Sequence, residues 1–159
     1  MNQTDMFLTT TMPRLRRAEV ALHNGDAGPR KAMWSHADSV TLFGAVMGGT
    51  GWAEIEPIFQ RLGASFTDCE SYDNEVVAAR ASGDLAYTVA YERTTASLHG
   101  GPPEAYVLRV TTVFHREHGE WKVIHRHADA MASPTAGDVL QQLVSDPEVA
   151  NHDTAMKER

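Results

Sequence analysis

Two β-rich runs, Tyr106–Glu117 and Glu120–Asp129, flank the pair His118-Gly119. Glycine accepts positive φ without cost, so a two-residue hairpin loop fits there. Such a loop fixes register, and register decides which side chains share a face. If Glu117 and Glu120 close the hairpin, Thr111 lies opposite Arg126 and Arg109 opposite Ala128. These share a face with Val113 and Ile124. The other face then carries Leu108, Val110, Thr112 and Phe114 against Trp121, Val123, His125, His127 and Asp129. A ribbon with arginines on one side and aromatic and histidine residues on the other implies that both faces meet something.

Two earlier turns extend the sheet. Gly83-Asp84 and His99-Gly-Gly-Pro-Pro103 separate expected strands Tyr72–Ala81, Leu85–Leu98 and Glu104–Glu117, with Glu120–Ala130 the last. Pairing Ser82 with Leu85 places Asn74, Val76, Tyr87, Val89 and Tyr91 on the arginine face. Pairing Leu98 with Glu104 sets Arg93 opposite Arg109. Like charges directly opposite repel. Arg93, Arg109 and Arg126 therefore need a counter-charge. A carboxylate or phosphate ligand supplies one and matches the guanidinium fork. Structural acids such as Asp38, or solvent at a sheet edge, are the alternatives.

Upstream the pattern is helical. Residues 1–12 are polar and Thr-rich, and are expected to be a flexible lead-in. A first helix runs from Pro13, with Leu15, Ala18 and Leu22 as its apolar stripe and Gly25 as its stop. Pro29–Trp34 is a short helix, Val40–Phe43 a short strand, Gly44–Gly51 a flexible loop and Ala53–Phe66 a third helix. Helices before an antiparallel meander define an α+β class. Past Pro134, Asp138–Val144 reads as a short C-terminal helix. The expected division is thus lead-in 1–12, one domain over 13–131, and a helix and tail over 132–159.

Composition narrows the function. A net charge of −7 argues against nucleic acid as a partner. No apolar run reaches the roughly 18 residues of a membrane span. One cysteine, Cys69, permits no intrachain disulfide, and no signal peptide pattern is seen, so a cytoplasmic setting is expected. No nucleotide-binding glycine motif or Ser-His-Asp order appears, and no cofactor is expected. His125 and His127 have strand spacing that can chelate a metal, but only Asp129 stands by as a third ligand, so no metal is expected either.

The order helix, Gly-Asp, helix, short strand, Gly-Trp helix and a meander ending in Gly-x-Trp-Lys-Val-Ile-His-x-His resembles the nuclear transport factor 2-like superfamily over residues 13–131. Within it the chain is similar to SnoaL-like and ketosteroid-isomerase-like bacterial proteins. Its ending also resembles the association domain of calcium/calmodulin-dependent protein kinase II, which places arginines in its pocket, one of them matching Arg93. The resemblance implies a curved antiparallel sheet wrapped by helices into a cone with a pocket, and a homodimer through the opposite sheet face. On that basis the arginine face lines the pocket. The ligand-binding candidates are Arg93, Arg109, Arg126, Thr111, Tyr87 and Asn74, together with Trp34, Trp52 and Phe59 from the helical part. Asp38 and Tyr91 are the acid–base candidates. The implied function is an isomerase, cyclase or hydratase acting on a small anionic or carbonyl-bearing molecule. The alternative is a non-catalytic ligand-binding or oligomerisation module. By position, the three functional groups of a ketosteroid isomerase fall on Ala18, Gly44 and Thr111, none of which carries the needed group.

Overall fold

A computed structural model describes residues 1–130. The expected helix Asp138–Val144 lies outside the described residues. The architecture is α+β. Helices α1 (Gln3–Leu22), α2 (Gly28–Met33) and α3 (Trp52–Ser65) cover one face of a curved, unclosed six-stranded sheet. The strands are β1 (Thr41–Phe43), β2 (Gly48–Thr50), β3 (Phe66–Ser82), β4 (Leu85–Leu98), β5 (Pro103–Glu117) and β6 (Glu120–Ala130), in the order β2-β1-β6-β5-β4-β3. β1 pairs parallel with β6, and every other pairing is antiparallel.

The first correction concerns the expected lead-in 1–12, which is helical from Gln3. Asn2 caps α1: its side chain accepts from the Asp5 N–H at 2.9 Å, and the Asp5 carboxylate receives the Asn2 N–H. This reciprocal arrangement satisfies two otherwise orphaned donors. Phe7, Thr11, Leu15, Ala18 and Leu22 form one buried stripe at helical spacing. Phe7 meets Phe114 and Trp121 edge-on, with ring centroids 5.1 and 5.2 Å apart. Burying a ring of this size stabilises by roughly 1.5–3 kcal/mol. That offsets much of the cost of Pro13 inside the helix, about 3 kcal/mol. The Thr-rich composition hid the stripe because Thr11 occupies a core position.

The expected flexible loop at Gly44–Gly51 is also ordered. It holds β2, which turns back on β1. Gly44 and Gly48 serve close approach: a Cβ would come within 2.4 Å of the Met47 carbonyl oxygen and 2.7 Å of the Leu42 carbonyl oxygen, respectively.

The final hairpin closes at Glu117 and Glu120, with His118 and Gly119 both at positive φ. Phe114 pairs with Val123, but Val113 pairs with His125, so Ile124 is an extra residue on β6. A bulge of this kind turns the strand beyond it over. A second bulge near Val77 turns over the start of β3, where Asn74 pairs with Glu92. Arg126 and Asn74 therefore join the inner, helix-covered face, opposite to the face read from regular alternation. The β4–β5 register is also two residues off the expected one: Tyr91 lies opposite Arg109, and Arg93 opposite Val107. Leu108, Val110, Phe114, Trp121 and Val123, expected on a dimer face, point inward, and all but half-buried Leu108 are buried.

Candidate functional site

The inner face of the sheet and the helices enclose a cavity of about 400 Å³. Leu22, Leu42, Ile58, Leu62, Phe66, Ala96 and Ala128 give it largely apolar walls, and the β1–β2 loop contributes Val46 and Met47. The size lies within the usual range for small-molecule sites. Polar groups are few: Glu19 from α1 and His23 at its C-cap, Arg30 from α2, Glu92 and Thr94 from β4, Tyr106 and the exposed Glu104 from β5, and Arg126 from β6.

These groups are brought inward by simple periodicity. Glu19 on α1 and His23 at its C-cap lie four apart, beside the stripe that ends at Leu22. On β4 the inward positions are mostly small, Ala86, Thr88, Ala90, Thr94 and Ala96, which leaves room for Glu92. Two buried ion pairs result. Arg30 holds both Glu19 oxygens, with Nε to Oε1 at 3.0 Å. Arg126 Nη1 lies 2.6 Å from Glu92 Oε2. That contact is an ion pair by distance but not an aligned hydrogen bond, since Oε2 has no hydrogen-bond partner. Charge therefore holds the pair more than direction does. The Tyr72 hydroxyl donates to Glu92 Oε1, and Asn74 Nδ2 donates to the Tyr72 oxygen at 3.2 Å.

Burial would raise the Glu19 pKa, but the charges of Arg30 and Arg126 outweigh it and hold the carboxyl below its ordinary value. Burial alone would lower Arg126, whereas Glu92 and Glu19 drive it up instead. Glu19 and Arg126 are thus held in their charged forms. Tyr72 is pushed well above its ordinary value by burial and then by the Glu92 charge.

A second polar group faces the same space. His23 Nδ1 meets the Glu19 carbonyl oxygen at 2.7 Å, and Nε2 meets the Tyr106 hydroxyl. Burial lowers the His23 pKa against the raising effect of Glu19. Burial, then the Glu19 charge, pushes Tyr106 up to about 12. Phe66 packs on both rings, 4.6 Å from His23 and 6.1 Å from Tyr106 between centroids.

A SnoaL-like domain model matches residues 15–133. The chain belongs to the SnoaL-like domain family. No curated protein matches this SnoaL-like chain. Its fold is similar to an NTF2-like protein of unknown function from Pseudomonas putida, with TM-score 0.67 and 19% identity over 84% of this chain and 93% of that one. It is also similar to a dehydratase candidate of the NTF2-like family from Streptomyces avermitilis, with TM-score 0.65 and 19% identity over 81% and 99% of the two chains. A third similar structure is a candidate calcium/calmodulin-dependent protein kinase type II association domain from Thiobacillus denitrificans, with TM-score 0.63 and 15% identity over 77% and 96%. The expected nuclear transport factor 2-like fold is thereby shown.

The sequence-derived site residues scatter over this SnoaL-like domain. Of the ligand-binding set, only Arg126 lines the cavity. Asn74 faces inward behind it, through Tyr72 and Glu92. Arg93 and Arg109 are on the outer face, as are Tyr87 and Thr111: β4 and β5 alternate so that these residues share a face as expected, but the helices cover the other one. Arg93 pairs with Glu75 at 2.9 Å and Asp73 at 3.5 Å, and Arg109 with Asp129 at 2.8 Å. The match of Arg93 to a pocket arginine therefore does not hold in position. Trp34 and Phe59 are core residues, 5.1 Å apart between ring centroids, and Trp52 stacks on His36. Asp38 is exposed away from the cavity, and Tyr91 lies on the outer face under the Arg93 guanidinium. Thr111, the counted oxyanion position, faces outward between inward-facing Val110 and Thr112. His125 and His127 sit on the outer face beside Phe43. Among the described residues no group of three or more His, Cys, Asp or Glu could hold a metal, and no helix is long and apolar enough to cross a membrane.

Sequence reasoning missed Glu19, His23, Arg30, Glu92, Thr94 and Tyr106. A signal was present for two of them. Glu19 and His23 fall within a helical apolar stripe, where a charged residue and a histidine demand partners.

Proposed function

We propose that this domain encloses a small, uncharged, largely apolar molecule bearing a carbonyl or hydroxyl group. The chemistry it suits is that of an isomerase, cyclase or hydratase. The observation that carries the reading is the charge balance of the cavity: two buried glutamates against two buried arginines, under mostly apolar walls. A carboxylate ligand would have to compete with Glu19 and Glu92 for arginines already paired. Neither glutamate is left single to act as a base, so His23 and Tyr106 are the acid–base groups best suited to meet a ligand. A non-catalytic binding module is the second reading, favoured by the pairing of each buried glutamate with a buried arginine.

The outer sheet face, with Tyr87 and Val89 uncovered, is proposed to meet a second copy of the chain, and a reducing cytoplasmic setting suits the lone Cys69. A thermal-shift screen of matched ketones, alcohols and carboxylates tests the ligand class. Uncharged members should raise the melting temperature, and Ala96→Trp, which would fill the cavity from β4, should abolish the rise. A uniform preference for carboxylates, unaffected by that substitution, would sink the reading.

A further inference from the structure

We propose that the Tyr106 oxygen is the hydrogen-bond acceptor of the cavity, held in that role by His23, so that the preferred ligand is an uncharged molecule with a hydroxyl donor: an alcohol, enol or phenol. This rests on the pocket reading above and names the ligand class for it.

The argument is one of proton placement. A carbonyl oxygen only accepts, so His23 Nδ1, 2.7 Å from the Glu19 carbonyl oxygen, carries a hydrogen. In the neutral ring Nε2 is then bare and can only accept. Its partner is the Tyr106 hydroxyl, which must therefore donate toward His23 and away from the cavity. Thr94 lies directly across the β4–β5 pair from Tyr106. With its hydrogen committed to His23, the tyrosine oxygen presents only lone pairs to the cavity, and these select donors. Phe66, parallel to the Tyr106 ring within 19°, offers an apolar wall beside that oxygen for a flat ligand.

The role depends on the neutral state of His23. The groups around it are Glu19 on the helix that His23 caps, Arg30 on α2, Glu92 on β4, and Tyr106 with Phe66 on the sheet. Burial and Arg30 favour the neutral ring, while Glu19 and Glu92 favour the charged one, with burial the largest effect. If the ring gains a proton, Nε2 becomes a donor. The Tyr106 hydrogen then turns to the cavity, and the preference inverts from donor ligands to acceptor ligands.

The probes are 2-naphthol and 2-methoxynaphthalene, nearly equal in shape, titrated calorimetrically into the full chain at neutral pH. Naphthol should bind about tenfold tighter, the size of one net hydrogen bond in a buried site. Tyr106→Phe should erase the difference between the two probes. Acidification should shrink the naphthol preference before the fold is lost by circular dichroism. Equal binding of both probes to the wild type would overturn the acceptor role and leave the pocket reading intact. Binding of neither probe would overturn both. A measurement free of ligand and variant is the nitrogen-15 spectrum of His23: the Nδ1–H tautomer supports the proposal, and the Nε2–H tautomer overturns it.

Discussion

The two faces of the sheet carry the same chemistry at different depths. Each bears arginine–carboxylate pairs: Arg30–Glu19 and Arg126–Glu92 inside, Arg93–Glu75 and Arg109–Asp129 outside. The Arg126 side chain is 9% exposed and that of Arg109 is 46% exposed. Outside, water competes for each charge and screens the pair. Inside, each charge has given up its hydration and depends on its partner. Identical residue types thus mean surface decoration on one face and an interlocked cavity floor on the other. For Arg126 the difference is made by a single extra residue in β6, Ile124, which turns it inward.

The sharpest test of this contrast is to break one inner pair. Arg126→Met leaves Glu92 as a buried charge beside Tyr72, and should cost about 3–5 kcal/mol in urea unfolding. Adding Glu92→Leu to the same chain should recover most of the loss, because the cost comes from the orphaned charge. A loss below about 1 kcal/mol in the single variant would mean that water already reaches the inner pair, and the contrast between the faces would fail.

The limits of the sequence reading follow the same contrast. The α+β class, the hairpin closure at Glu117 and Glu120, and the pairing of Ser82 with Leu85 were legible, since turn chemistry and alternation are local. The bulges at Ile124 and near Val77 were not. No residue there marks a bulge as glycine marks a turn, and each one inverts everything beyond it. Arg126 was therefore singled out as a cavity residue from a register that does not occur. Arg93, Arg109 and Glu92 were misread differently: β4 and β5 alternate regularly there, but the helices cover the face that had been assigned to a dimer partner. The helix at residues 3–12 was obscured by weak helix formers, and tertiary contact through Phe7 overrides that local preference.

Acid should act on the inner face first. The folded pKa of His23 lies below its ordinary 6.5, so as pH falls the unfolded chain takes up this proton before the folded one. Stability is lost progressively from near pH 6.5 downward. Glu19, held below its ordinary 4.5, contributes fully above that value and loses its contribution as pH falls through its folded pKa. The urea midpoint should therefore decline in two stages, the first removed by His23→Gln. A midpoint flat from pH 7 to pH 5 would show that His23 titrates alike in both states.

The smallest effect is expected at the outer pairs. Arg109→Met removes the partner of Asp129, but both groups are half exposed and the carboxylate returns to water at little cost. The loss should be under about 1 kcal/mol, and should fade in molar salt as the Debye length shrinks to roughly 3 Å. This holds for the isolated chain, measured in dilute solution. If a second copy covers Tyr87, Val89 and the neighbouring pairs, light scattering should give a dimer at micromolar concentration, and the cost of Arg109→Met should then rise with protein concentration, since association links stability to mass action. A cost that stays small and salt-sensitive at every concentration, in a chain that scatters as a monomer, would remove the second copy from the outer face and leave that face to solvent.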